Sequence, residues 1–163
     1  MQSTVTIGYW PPGSNNKPTA NLHEITMNSS VLTLPPGFVE HVSPSNFVML
    51  LGPMYRRDCD DGTATIAMHV QEQHLNLHGI THGGFVATLI DTAIGHNVAS
   101  VLNEAVVTAN LTIDYMSSAR LGDWIEANVK INRKGRRMCF TQCTLHNGEK
   151  LMATASSILA LSK

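Results

Sequence analysis

The sequence predicts an α+β domain in which an antiparallel sheet wraps one central helix. Phe85, Val86, Leu89, Ile90, Ala93, Ile94, Val98, Val101 and Leu102 recur at helical spacing, and the run is too apolar for the edge of a fold. Four alternating segments follow it, and Lys134-Gly135 and Asn147-Gly148 separate the later ones. Asn-Gly is the strongest short-range hairpin signal.

Residues 1–45 read as an N-terminal arm and residues 46–163 as the folded domain. Pro11, Pro12, Gly13, Ser14, Asn15 and Asn16 form one turn-rich cluster, and Asn28, Ser29, Ser30, Pro35, Pro36 and Gly37 form another. Leu22, Ile25 and Met27 between them are too few to define an amphipathic element. Phe47, Met49, Leu50 and Leu51 predict a short helix that Gly52 and Pro53 end. Across residues 63–70, Ala64, Ile66, Met68 and Val70 share one face of a strand. Gly83 and Gly84 open the long helix, Asn103 follows it, and Thr88, Asp91, Thr92 and Gly95 interrupt its apolar surface. In the first later strand Val107, Ala109, Leu111, Ile113 and Tyr115 are expected on one face. The next has Ile125, Ala127, Val129 and Ile131 opposite Glu126, Asn128, Lys130 and Asn132. Cys139, Thr141, Cys143 and Leu145 share a face in the third, and Leu151, Ala153, Ala155, Ser157, Leu159 and Leu161 in the last.

The chain has 163 residues, the size of one domain. Its 43% hydrophobic residues suffice for a core, while 14% charged residues fall below the roughly 25% of an average domain. That shortage points to surface hidden by self-association. Eleven basic and twelve acidic residues give a net charge of −1, so bulk electrostatics favour neither nucleic acid nor an anionic membrane. Three cysteines, with no Cys-x-x-Cys pair, argue against a disulfide scaffold or a cysteine zinc cage. Residues 1–14 lack the basic and apolar regions of a secretory signal, and no stretch reaches the ~20 apolar residues of a membrane span. The expectation is a soluble cytoplasmic protein.

Chemistry concentrates in Asn76-Leu77-His78-Gly79-Ile80-Thr81-His82-Gly83-Gly84, with Asp91 two turns into the helix. Two glycines at a helix start leave backbone N–H groups unshaded, and the helix dipole adds positive potential. Such a mouth suits a polarised carbonyl or a developing oxyanion. Asp91 lies about 12 Å along the axis from Gly83, too far to act on the same carbonyl. A second, antiparallel copy of the helix across a symmetric dimer would bring one copy's Asp91 toward the other's Gly83.

The segment His82-Gly83-Gly84-Phe85-Val86-Ala87-Thr88-Leu89-Ile90-Asp91 resembles the signature of the hotdog-fold acyl-CoA thioesterases, and of the phenylacetate-degradation type branch in particular. Asn76 and Gly79 match the Asn and Gly that precede His-Gly-Gly in that family. Tyr115-Met116-Ser117, Gly122-Asp123 and Lys134-Gly135-Arg136-Arg137 fall where its next landmarks stand. The resemblance covers residues 47–163 and leaves the arm unaccounted for.

The resemblance implies a hotdog fold and hydrolysis of an acyl-CoA to a free acid and coenzyme A, with no metal or redox cofactor. It implies a homo-oligomer, a dimer or a dimer of dimers, with the site between subunits. Gly83 matches the glycine whose amide polarises the thioester carbonyl, assisted by Asn76. Asp91 matches the carboxylate that, from the partner subunit, deprotonates water or attacks the acyl carbon. Thr108 stands where related enzymes hold that water with a hydroxyl, and His82 is a positioning group near the carbonyl. Gly84 joins the substrate-binding set. Some branches use Glu at other helix positions, whereas the only helix carboxylate here is Asp91.

Each assignment has a structural rival. Asp91 could be a polar residue bonded across a subunit seam, the glycines could serve helix–strand packing, and Thr108 could be an ordinary strand threonine. Arg133, Lys134, Arg136 and Arg137 form either a solvated turn or a contact for coenzyme A phosphates. His74, His78 and His82 stand four apart, as metal ligands on a helix do, but Asn76, Gly79 and the glycine pair argue against a continuous helix there. Two other functions compete: a hotdog protein that binds acyl-CoA without cleaving it, and a dehydratase or hydratase on the same fold. Binding without thiol release would mark the first, and a His paired with an acid in another arrangement would mark the second.

Overall fold

The computed structural model describes residues 34–162. Of the expected arm, residues 1–33 lie outside the described residues. The elements are β1 (Val39–His41), α1 (Asn46–Met49), β2 (Met54–Asp58), β3 (Ala64–His69), α2 (Gly83–Leu102), β4 (Ala105–Tyr115), β5 (Trp124–Lys134), β6 (Met138–Asn147) and β7 (Lys150–Ser162). They build a seven-stranded sheet in the order β1-β2-β3-β5-β6-β7-β4, every pair antiparallel. The sheet packs around α2.

β1 falls inside the segment expected as arm, so the sheet begins before the expected boundary at 46. β1 and β2 carry no clean alternation: Tyr55, Arg56, Arg57 and Asp58 are mostly polar, and only Met54 of β2 is buried. Pairing with β3 recruits β2. The β2–β3 turn closes through Cys59 N–H to Thr63 O (2.8 Å) and Gly62 N–H to Cys59 O (3.1 Å). β3 is buried on both faces, Thr65 and Ala67 as well as Ile66 and Met68. On the side away from α2, the Trp124 ring lies 5.1 Å from Phe38, 5.4 Å from Tyr55 and 4.6 Å from His69.

One face of α2 is buried, along Phe85, Val86, Leu89, Ile90, Ala93, Ile94, Asn97 and Val98. Asn97 is the polar member of that stripe. Its carboxamide accepts from Ala64 N–H (2.6 Å) and donates to Ala64 O and Ala93 O (both 2.9 Å), fastening mid-helix to the start of β3. The residues expected to interrupt the apolar surface, Thr88, Asp91, Thr92 and Gly95, lie together in a half-buried strip of small and polar residues on the opposite face. α2 is long and apolar enough to cross a membrane by length and composition, beyond the sequence expectation, but its buried face packs on the sheet as a core helix does.

β5, β6 and β7 present the expected faces inward. In the β6–β7 hairpin Gly148 takes φ +57° at the first position of the two-residue loop, where a type II′ turn requires it. β4 departs from expectation. A bulge at Ala109 inserts one unpaired residue between Thr108 and Asn110. The strand's faces therefore exchange across it, as a one-residue slip requires. Val106 and Thr108 turn inward and the expected Val107 is 66% exposed, while Leu111, Ile113 and Tyr115 keep the expected face, Tyr115 being 55% exposed at the strand's end.

Candidate active site

The bulge matters because it aims Thr108 at α2. The Thr108 hydroxyl donates to Asp91 Oδ1 at 2.7 Å, and both side chains are half-buried. They stand in the wall of a cavity of about 1020 Å³ between the outer strip of α2, the segment from His41 to Val48, and the start of β4. Ala87, Thr88, Thr92, Gly95 and Ala99 supply small side chains along the helix, and Phe47, Val48, Val106 and Leu111 supply apolar surface. The cavity can therefore take an apolar group beside a carboxylate whose orientation is fixed by a hydroxyl.

The helix mouth is built separately. Asn76 N–H bonds Ile80 O (2.8 Å), and Asn76 Oδ1 accepts from His78 N–H (2.8 Å), closing a tight loop whose turn residue Gly79 has φ +69°. Thr81 N–H bonds Ala119 O (2.9 Å) and His82 N–H bonds His74 O (2.8 Å), so the chain enters α2 held from both sides. His82 is the N-cap: its Nδ1 accepts from Gly84 N–H at 2.9 Å. A Cβ on Gly84 would lie 3.0 Å from that nitrogen, so a larger residue would push the His82 ring aside by a few tenths of an ångström. Gly84, expected to bind substrate, gives its amide to His82 instead. Gly83 N–H has no partner among the described residues and points from the first helical position, where the dipole concentrates positive potential. The Asn76 Oδ1 bond to His78 leaves its NH₂ group as the available donor.

Two contacts were not expected. Tyr115, on the same face of β4 as Leu111 and Ile113, reaches the start of α2 and donates its hydroxyl to Gly83 O at 3.1 Å. His74 is buried beneath the mouth, its ring stacked on Phe85 at 3.9 Å. Its Nδ1 accepts from Gln71 N–H (2.9 Å), so Nε2 carries the proton and donates to Leu51 O (2.6 Å). The sequence marks His74 as one of three histidines four apart and Tyr115 as a family landmark, and neither signal points to these contacts. The possible metal triad does not gather: His74 is buried at the end of a 3-10 turn, His78 is exposed in the loop, and His82 caps α2.

The structure thus brings Asp91 and Thr108 together, and gathers Asn76, His82, Gly83 and Gly84 at the mouth, but one chain does not join the two groups. The basic residues stand apart from both. Lys134 pairs with Glu104 at 2.6 Å, which puts the β5–β6 hairpin at the far end of α2, and Arg133, Arg136 and Arg137 are exposed there. Cys139 and Cys143 are core residues, and burial pushes the Cys143 thiol up to about 12.

Three histidines are held below the ordinary range near 6.5, chiefly by burial: His41, His74 and His96. A bond to Leu51 O partly opposes the shift at His74; Arg56 reinforces it at His41, and His41 and Arg56 reinforce it at His96, where Asp58 partly opposes it. Each takes up its proton at a lower pH in the fold than in the unfolded chain, where uptake centres near 6.5. The unfolded state then binds more protons as pH falls, so stability should drop below about pH 6.5 and level off once the folded-state values are passed. Denaturant midpoints at about pH 7.5 and about pH 5 check this, with the lower midpoint expected in acid.

The sequence model of the thioesterase superfamily matches residues 78–153. A putative esterase of Pseudomonas aeruginosa is 34% identical over 133 residues, which is 80% of this chain and 99% of that protein. Human acyl-coenzyme A thioesterase 13 is 32% identical over 103 residues, covering 63% of this chain and 74% of its own length. Among solved structures, the E. coli PaaI protein from the phenylacetic acid degradation operon superposes with a TM-score of 0.68 at 26% identity, over 74% of this chain and 86% of that one. A hypothetical thioesterase from Streptococcus pneumoniae, solved with coenzyme A, superposes with a TM-score of 0.63 at 25% identity, over 67% of this chain and 88% of its own. With the helix, the sheet order and these likenesses in agreement, this hotdog-fold chain belongs to the thioesterase superfamily.

Proposed function

We propose that this protein hydrolyses acyl-CoA thioesters to the free acid and coenzyme A, at a site shared by two copies of the chain. The observation that carries the reading is the Thr108–Asp91 hydrogen bond of 2.7 Å in the wall of the cavity. A carboxylate held beside acyl-sized space, on a helix whose glycine mouth offers a free amide, is the pair of groups thioester hydrolysis needs. Gly83 N–H, with the Asn76 amide, polarises the carbonyl. Asp91 of the partner subunit deprotonates water or attacks the acyl carbon itself. His82 holds the mouth in shape by capping α2, and the chemistry requires no metal or redox cofactor.

Two features support the pairing of copies. β4 is eleven residues long and lies at the edge of the sheet, with its outer hydrogen-bonding side unpaired among the described residues. The strip of α2 beside it is small and half-buried, shaped for a second helix to approach. An antiparallel copy with Asp91 facing Gly83 also sets the basic hairpin beyond the partner's mouth. Arg133, Arg136 and Arg137 then meet the coenzyme A phosphates, with Lys134 shared between them and Glu104. Three cysteines, all free, suit a reducing cytoplasmic setting.

The test is release of free thiol from a panel of acyl-CoA esters by the purified protein, with mass determination of the assembled particle. Thiol release by a dimer or tetramer is expected. Tight coenzyme A ester binding with no thiol release would favour a non-catalytic binding protein. A monomer with full activity would defeat the shared site.

A further inference from the structure

We propose that His41 and His96 form a specificity subsite that hydrogen-bonds an oxygen function at the distal end of the acyl group. The preferred thioesters then carry a hydroxyl or carboxylate remote from sulfur. This deepens the acyl-CoA reading above and rests on it.

His41 comes from β1 and His96 from the outer strip of α2, and their rings meet edge to face with centroids 4.6 Å apart. Both line the same cavity as Asp91. His74 and His82 spend ring nitrogens on backbone partners, whereas neither His41 nor His96 has a hydrogen bond to the protein among the described residues. The charged groups nearby are Arg56 of β2 and its ion-pair partner Asp58. Burial, with Arg56 at His41 and with His41 and Arg56 at His96, favours the neutral rings, and a neutral imidazole presents one N–H and one lone pair.

The position fits the far end of a substrate. His96 is five residues beyond Asp91, about 7.5 Å along the helix. An acyl group whose carbonyl sits at Asp91 extends past Thr92 and Gly95 toward the pair, flanked by Phe47 and Val48. A plain alkyl end would strip water from these half-buried imidazole N–H groups and return nothing, which leaves the donors it covers unmet. An oxygen acceptor restores those bonds, and a site built to bond a substrate oxygen discriminates against the analogue that lacks it.

The experiment compares hexanoyl-CoA, ω-hydroxyhexanoyl-CoA and adipoyl-CoA with the full-length protein. Thiol release gives kcat/KM, and titration calorimetry of the corresponding non-hydrolysable thioethers gives affinity. One oxygenated probe should exceed hexanoyl by roughly tenfold in both measures, the worth of about one hydrogen bond. Which one does so distinguishes hydroxyl from carboxylate. His41→Leu and His96→Leu should each reduce that ratio toward one, and His96→Gln, which keeps a donor, should retain most of it. Thermal melts confirm that the variants fold, and the wild-type ratio stands as a test if one does not. Equal wild-type affinity for all three thioethers overturns the subsite, as does a preference that survives both leucine variants. If thioether discrimination holds while no ester is cleaved, the hydrolytic reading fails and the subsite stands.

Discussion

Replacing Asp91 with asparagine is expected to lower acyl-CoA turnover by roughly two to four orders of magnitude, the range for loss of a positioned general base. The substitution is nearly isosteric, and an asparagine Oδ1 can still accept the Thr108 hydroxyl that now bonds Asp91 at 2.7 Å. What disappears is the negative charge and the capacity to take a proton or to attack carbon. Fold and assembly should therefore persist, and sedimentation and thermal melting check that they do. Steady-state thiol release then reads the chemistry alone. If Asp91 served only to bond across a subunit seam, the variant would weaken assembly and leave turnover per assembled site close to wild type. That pattern would refute the mechanism while sparing the fold.

The polar strip on α2 was legible because it broke a rule. Thr88, Asp91, Thr92 and Gly95 interrupt an otherwise apolar helix, and polar residues on a core helix need a reason to be there. All four line the cavity. The inward faces of β5, β6 and β7 were equally legible, since strict alternation on a half-buried sheet leaves one register. β4 was misread because a bulge carries no signature of its own in Val106-Val107-Thr108-Ala109-Asn110, where either phase reads as a strand. The inward turn of Val106 and Thr108 follows from that one extra residue, while Leu111, Ile113 and Tyr115 keep the expected face. β1 and β2 escaped notice for a different reason. Short segments rich in charge become strands through pairing with β3, a tertiary effect that local pattern does not record. The same holds for His41 and His96, which lie 55 positions apart and meet only when β1 packs beside α2.

Gly83→Pro tests the other half of the site by deleting one hydrogen-bond donor. Gly83 is the first residue of α2, the position at which proline is tolerated, because its missing N–H belongs to a group with no intrahelical partner. His82 already has φ −68° and ψ 136°, the extended conformation required before proline. The His82 cap to Gly84 and the bond from Val86 N–H to His82 O use other atoms, and the nearest side chain to a new Cβ is the Tyr115 ring at 3.7 Å. The helix should thus survive with its mouth electrically altered at a single point. Turnover is expected to fall roughly 10²- to 10³-fold, the loss seen when one oxyanion donor is removed. Gly83→Ala, which adds bulk but keeps the N–H, should lose far less. The comparison separates shape from hydrogen bonding: equal losses in the two variants would mean that the glycine is there for room, and that carbonyl polarisation comes from elsewhere. Because Asp91 and Gly83 act from different chains in the proposed dimer, mixing the inactive Asp91→Asn and Gly83→Pro proteins under subunit exchange should restore activity. Each mixed dimer then holds one site with both groups intact, something no arrangement confined to a single chain could produce.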